Sequence, residues 1–200
     1  PEELEALFAA RRPPRPDLTD PALAASWERR PRRASAPVAP FLAVPHGVVK
    51  RALDGFSLGP EDLFLDLGAG DGRWLLAAAA RWNCSAIGVE LNATLAEGAA
   101  GAARDRGLRR VEVVAGDMFE VLPRLRSRLG GLRLATLFLS TEGNAKVVPL
   151  LQQILPAGAS VLAPWFELPA GAGDPFEFRR MLDEAYELRE YRYRPRAAEL

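Results

Sequence analysis

Asp62-Leu63-Phe64-Leu65-Asp66-Leu67-Gly68-Ala69-Gly70-Asp71-Gly72-Arg73-Trp74 is the stretch whose reading decides the fold. The apolar run Leu63 to Leu67 has the length of a short buried strand. A glycine-rich turn follows it, and then a helix rich in alanine and leucine from Trp74 to Trp82. Strand, tight glycine turn and helix N-terminus form the front half of a βαβ nucleotide-binding unit. Glycine lets the backbone bend sharply and lets a ligand lie against it, because a Cβ would block both.

The chemistry of the turn narrows the ligand. A dinucleotide fingerprint would place glycines at 68, 70 and 73, whereas this chain has them at 68, 70 and 72, with Arg at 73. Asp66 closes the strand and Asp71 lies inside the turn. Two carboxylates oppose a pyrophosphate, which seeks donors and positive potential at a helix N-terminus. A ligand with a cationic centre and an ammonium group suits them better. S-adenosyl-L-methionine (SAM) has both, a sulfonium and an α-amine. Asp66, Gly68, Ala69, Gly70, Asp71 and Gly72 are therefore the first cofactor-side candidates.

At these residues the chain resembles motif I of the class I SAM-dependent methyltransferases, written here Asp66-Leu67-Gly68-Ala69-Gly70-Asp71-Gly72. The resemblance continues. Gly88-Val89-Glu90-Leu91 ends a second strand with an acid, 18 positions past Gly72, where such folds place the carboxylate that holds the ribose hydroxyls. Ala115-Gly116-Asp117-Met118 resembles the motif that reads the adenine amine through an Asp side chain and the next backbone amide. The resemblance thus adds Glu90, Leu91, Asp117 and Met118 to the cofactor side. It implies an α/β fold, Rossmann-like and doubly wound around a mostly parallel sheet.

Length and composition agree. A chain of 200 residues is one domain by size, with room for an appendage. A hydrophobic content of 48% supports a sizeable core. Lys plus Arg and Asp plus Glu both number 26, so no global field draws nucleic acid. One cysteine, Cys84, excludes an internal disulfide framework and fits an intracellular, reducing compartment. It reads as a small buried hydrophobe. No apolar run approaches the ~18 residues of a membrane-spanning helix, and no stretch has the make-up of a secretory signal. The chain opens on Pro1 and not on Met, which points to a longer product.

Residues 1–39 read as an extended Pro/Arg-rich arm, with 40–200 as the methyltransferase domain. Pro13, Pro14, Pro16, Pro21, Pro31 and Pro37 block continuous helix, and only Glu2 to Ala10 and Ala22 to Arg30 suit short ones. The arm is either a solvated tail or a docking arm for a partner. Its acids, among them Glu2, Glu3 and Asp17, argue against a transit peptide. Pro40-Phe41-Leu42-Ala43-Val44-Pro45-His46-Gly47 then leads into a helix from Val48 to about Leu53, packed across the cofactor mouth. His46 is the sole histidine, the side-chain type most often used as a base near neutral pH. It reads as a local hydrogen-bonding residue or as a base at that mouth.

Beyond the turn, strands are expected over Ala86 to Glu90, Val111 to Ala115, Leu132 to Leu139 and Ser160 to Trp165. Helices are expected over Leu91 to Arg106 and Ala145 to Leu155, with a short helix or turn over Met118 to Leu125. Glu167 to Pro175 is a Gly/Pro/Ala loop. Phe176, Met181, Leu182 and Tyr186 have the spacing of an amphipathic helix over Phe176 to Tyr186. Leu188 to Arg194 alternates and reads as a last antiparallel strand. With one strand in place of the usual two, the C-terminal hairpin of the sheet is expected to be trimmed.

The end of strand four is where class I methyltransferases put the residues that face the methyl group. Enzymes acting on nucleobase or glutamine nitrogens often carry Asn/Asp-Pro-Pro-Tyr/Phe there, whereas this chain has Ser140-Thr141-Glu142-Gly143-Asn144. From residue 40 to 170 the pattern resembles the small lysine methyltransferases of the ATP-synthase c-subunit type and the core of the non-SET histone lysine methyltransferases. Pro40-Phe41, Pro45, the turn through Trp74, Gly88 to Asn92, and Pro164-Trp165-Phe166 with Pro169 carry that likeness. It implies methyl transfer from SAM to a nitrogen acceptor, with a protein lysine favoured. Glu142, Ser140, Thr141 and Asn144 are the candidate contacts to the amine, and Ser140 also borders the cofactor. For Glu142 the other reading is an exposed carboxylate favoured by the helix dipole. Trp165 and Phe166 either wall an alkylamine channel or pack the core. A small-molecule or RNA methyltransferase, and a retired methyltransferase fold within a larger assembly, stay open as alternatives.

Overall fold

The computed structural model describes residues 44–169 and 174–195. The arm, its two short helices, residues 40–43 and the middle of the Glu167 to Pro175 loop lie outside them. The chain runs α1 (His46–Asp54), β1 (Leu63–Leu67), α2 (Arg73–Trp82), β2 (Ser85–Glu90), α3 (Ala93–Asp105), β3 (Val111–Ala115) and α4 (Met118–Leu125). A single 3₁₀ turn (Arg126–Arg128) leads to β4 (Leu132–Leu137), α5 (Thr141–Ile154), β5 (Ser160–Ala163), β6 (Phe176–Asp183) and β7 (Leu188–Tyr193). The strands form one sheet in the order β3-β2-β1-β4-β5-β7-β6. β1 to β5 are parallel, and β7 is antiparallel to both β5 and β6.

Alternation along β1 divides the core, because successive side chains leave a strand on opposite faces. Leu63, Leu65 and Leu67 pack with α4 and α5, through Leu122, Leu125, Val147 and Leu151. Phe64 packs on the other face with α1 and α2, through Val49, Leu53, Leu75 and Ala78. Both faces of the parallel strands are covered, which is why β1 reads as a continuous apolar run and not as an alternating one. Gly88 permits the close seat of α2, since a Cβ there would stand 2.4 Å from Leu75 Cδ1.

Three expectations are corrected. Phe176 to Tyr186 is no helix: Phe176–Asp183 is β6, hydrogen-bonded to β7. Cross-strand ring pairs decide it, Phe176 with Tyr193 at 5.5 Å and Phe178 with Tyr191 at 6.0 Å between centroids. In consequence the sheet is not trimmed, because β6 and β7 complete seven strands. The helix after β4 also begins earlier than Ala145. Ser140 Oγ accepts from Gly143 N at 3.0 Å, so Ser140 is the N-cap and Thr141 opens α5.

Candidate functional site

In a doubly wound sheet a ligand binds outside the carboxyl ends of the strands, where the strand order reverses. Here that point lies between β1 and β4. Asp66 and Thr136 face each other across it, in register. Thr136 Oγ1 donates to Asp66 Oδ1 at 2.6 Å. Both residues are 3% exposed, and Asp66 Oδ2 is buried with no partner among the described residues. Burial pushes the Asp66 carboxyl up to about 7; the Thr136 hydroxyl opposes this, and the charges of Glu90 and Asp71 add to it. A buried, half-satisfied carboxylate between like charges is suited to a cation, and the α-ammonium of SAM is one.

The turn after Asp66 is built from left-handed glycines. Gly68, Gly70 and Gly72 have φ of 79°, 56° and 76°. Their tasks differ. A Cβ on Gly68 would stand 3.7 Å from Leu139 Cδ2, which places this glycine against the exit of β4. A Cβ on Gly72 would stand 2.8 Å from Ala99 Cβ, so Gly72 caps α2 in the left-handed region and lets it pack on α3. Ala69 is buried and fixed by its N–H to Val89 O at 3.1 Å. Asp71 gives its carboxylate to Arg73: Oδ1 accepts from Nε at 2.9 Å and Oδ2 from Nη2 at 2.5 Å. That pairing holds the Asp71 carboxyl below its ordinary range, with a smaller pull from His46. Arg73 Nη1 also donates to Val44 O at 2.6 Å, tying the entry segment to the turn.

Glu90 ends β2 facing this turn. Its Oε2 accepts from Gly70 N at 2.9 Å and its Oε1 from Asn92 N at 2.8 Å. These bonds fix a half-buried carboxylate at the carboxyl end of β2, with Leu91 beside it. Asp117 is the N-cap of α4, accepting from Phe119 N at 2.9 Å, and Met118 next to it is buried. Asp66, Glu90 and Asp117 thus stand at the carboxyl ends of three adjacent strands, β1, β2 and β3. This donor set fits SAM.

The acceptor-side candidates separate. Ser140 is half-buried at the exit of β4. Asn144 is 1% exposed, and its Nδ2 donates to Phe166 O at 2.9 Å and Glu167 O at 3.2 Å. Glu142 is largely solvated, its side chain 77% exposed and paired with Lys146 at 2.6 Å. That pair lowers the Glu142 carboxyl. Trp165 and Phe166 are buried, and Phe138 meets Trp165 edge-on with centroids 5.3 Å apart. His46 opens α1 on the surface, and Cys84 is fully buried. Thr136 was missed at the level of sequence. Its signal was a lone hydroxyl inside the apolar run of β4. Arg73 was noted only as a missing glycine.

Fold and site together define a class I SAM-dependent methyltransferase, and comparison with known proteins agrees. The family model of the ANTKMT methyltransferase domain matches residues 66–173. A protein-lysine N-methyltransferase of Saccharolobus islandicus (strain REY15A) is 32% identical over 134 residues, 66% of this chain and 80% of that protein. An RNA methyltransferase from Salinibacter ruber, solved with S-adenosyl-L-homocysteine, superposes with a TM-score of 0.61 at 27% identity. The match covers 76% of this chain and 92% of that one. LaPhzM, at 19% identity, shares the fold with a TM-score of 0.57 over 76% of this chain and 55% of its own. The chain belongs to the ANTKMT methyltransferase domain family. Among the described residues no helix is long and apolar enough to cross a membrane.

Proposed function

We propose that the chain methylates the side-chain amine of a protein lysine, with the acceptor entering at the carboxyl ends of β4 and β5. The observation that carries this reading is the make-up of that entrance. Phe138, Trp165, Phe166 and Tyr186 form a ring cluster there, and Ser140 and Asn144 lie on the same β4–α5 exit. An apolar wall desolvates an alkyl chain and its amine, which favours the neutral form that carries the attacking lone pair. The name of the Saccharolobus relative supports the same acceptor.

SAM, when bound, supplies a methyl carbon already activated by its sulfonium. The chain's own contribution is orientation and exclusion of water, worth about 7–11 kcal/mol in favourable cases. In this reading Asp66 holds the α-ammonium through its unpartnered oxygen, and the backbone at Gly68, Ala69 and Gly70 lies against the ligand. Glu90 and Leu91 take the ribose. Asp117 and Met118 take the adenine, and Ser140 borders both ligands. Asp71 and Gly72 act one step back, Asp71 by setting Arg73 and Gly72 by seating α2. Glu142 meets the incoming ammonium at the solvated rim. In this reading the 1–39 arm docks a partner, and the single thiol of Cys84 is in keeping with a reducing compartment.

The test is transfer of tritium from SAM to separate protein and RNA fractions of a cell extract, followed by amino-acid analysis. Label in methyl-lysine supports the reading. Label confined to RNA favours the second reading, which the Salinibacter structure motivates. No label in either, from a chain that binds cofactor, supports a retired fold.

A further inference from the structure

β5 leaves the sheet through an uncommon turn. Trp165 has φ 56°, in the left-handed region that bulky side chains rarely adopt. Across it Phe166 N donates to Pro164 O at 2.7 Å. This closes a three-residue γ-turn of the positive-φ form, the rare and strained one. Such a conformation persists only where its surroundings over-determine it.

The surroundings here are specific. Trp165 N donates to Tyr186 O at 3.0 Å, and the Trp165 ring stacks on Tyr186 with centroids 5.3 Å apart. Phe138 packs edge-on against Trp165, with centroids 5.3 Å apart. The third constraint is Asn144, whose amide nitrogen donates to two backbone carbonyls just past the turn, Phe166 O and Glu167 O. Carbonyls accept only from the NH₂ end of an amide, so its orientation is fixed. Its Oδ1 is left buried without a partner among the described residues. Burying an amide is costly unless it is hydrogen-bonded, which marks these two bonds as the reason for the residue. Asn144 lies in the first turn of α5, four residues after the N-cap. One side chain therefore joins the exit of β4 to the exit of β5.

We propose that Asn144 is a positioning residue for the methyl acceptor: by clamping the Pro164-Trp165-Phe166 turn it sets the rings of Trp165 and Phe138 along the acceptor's path, without touching the cofactor. This rests on reading the β4–β5 exit as the acceptor entrance, and it holds for lysine or another acceptor.

The test uses the full chain and four variants, with Trp165→Phe serving as the spectroscopic reference. Asn144→Asp removes both donors, and Asn144→Ser is a milder loss that also lacks the reach. Trp165→Gly tolerates the positive φ but removes the ring. The Trp165 contribution to near-ultraviolet circular dichroism is read as natural chain minus Trp165→Phe. S-adenosyl-L-homocysteine affinity is read by calorimetry. Tritium transfer is measured on poly-L-lysine, total protein and total RNA separately. The Asn144 variants are expected to lose the Trp165 band and to keep cofactor affinity within about twofold. Their kcat/KM should fall at least about tenfold on whichever acceptor the natural chain uses, as small misplacements do. Trp165→Gly should keep cofactor binding and lose transfer by a similar factor. A persisting band, or full transfer by Trp165→Gly or by a folded Asn144 variant, overturns the proposal. So does equal loss of cofactor binding and transfer. Labelling of RNA alone counts against the lysine acceptor, and the clamp is then judged on RNA.

Discussion

Thr136 donates its hydroxyl to Asp66 across the β1–β4 junction at 2.6 Å, and the second Asp66 oxygen is buried with no partner among the described residues. Parallel strands here bring a hydroxyl and a carboxylate into register where the sheet reverses its order. The arrangement satisfies one oxygen of a buried acid and leaves the other without a hydrogen-bond partner among the described residues.

A pH dependence follows. Burial raises the Asp66 carboxyl from 3.8 to about 7. Between those values the folded chain holds a proton that the unfolded chain has lost. Stability of the ligand-free protein therefore falls as pH rises across this window, and levels above it. The penalty near neutral pH is on the order of 4 kcal/mol at 1.36 kcal/mol per pH unit. Asp66→Asn should remove it, giving a ligand-free chain with a higher Tm at pH 8 but little change at pH 4. SAM affinity of the natural chain should rise from pH 6 to pH 8 as the carboxylate forms. A flat affinity profile would contradict the ammonium assignment.

Two glycines of one turn should respond differently to alanine. Gly72→Ala meets both a left-handed φ and Ala99 Cβ at 2.8 Å. Its cost is about 1–2 kcal/mol for the backbone and a further ~1–3 kcal/mol for overpacking. Gly68→Ala carries the backbone cost alone, since Leu139 stays at an ordinary 3.7 Å. Thermal melts should rank Gly72→Ala below Gly68→Ala, while calorimetry should find the larger relative loss of cofactor affinity in Gly68→Ala. The reverse ranking would reassign the two positions.

Arg73 links the turn to the entry segment through Asp71 and Val44 O. Hydrogen bonds of this charged kind contribute about 2 kcal/mol, so Arg73→Ala should lower stability by that order in urea titration. It should also free the Asp71 carboxyl to titrate nearer its ordinary range. Retained stability would mean that the entry segment is held elsewhere.

Glu142→Gln tests the rim. The pair with Lys146 is solvated, so Tm should not change. If Glu142 meets a cationic acceptor, KM should rise at low salt and the difference should vanish near ~0.5 M salt through screening. An unchanged KM at low salt would make it a solvated surface carboxylate.

Much of this was legible in the sequence because the parallel strands are short apolar runs punctuated by glycine and capping residues. β6 was not. Bulges between Phe178 and Arg180 and between Met181 and Asp183 interrupt its pleat, and they erase the period of two on which strand reading depends. The remaining apolar positions then fall at helical spacing. The start of α5 was hidden by Gly143 and Asn144, both weak helix formers, although Ser140 was a cap signal. The three strand-end acids were readable from local motifs. Asn144's partners lie 22 and 23 residues away in the chain, and Thr136 reaches Asp66 across 70. Contacts of that kind exist only once the sheet has formed.

The most direct test of the cofactor site is calorimetric titration of S-adenosyl-L-homocysteine into the natural chain, Asp66→Asn and Glu90→Ala. The account predicts binding by the natural chain and at least about tenfold weaker binding by each folded variant, the loss expected when a charge-assisted contact is removed. Equal affinity in all three would contradict the placement of the cofactor at the ends of β1 and β2.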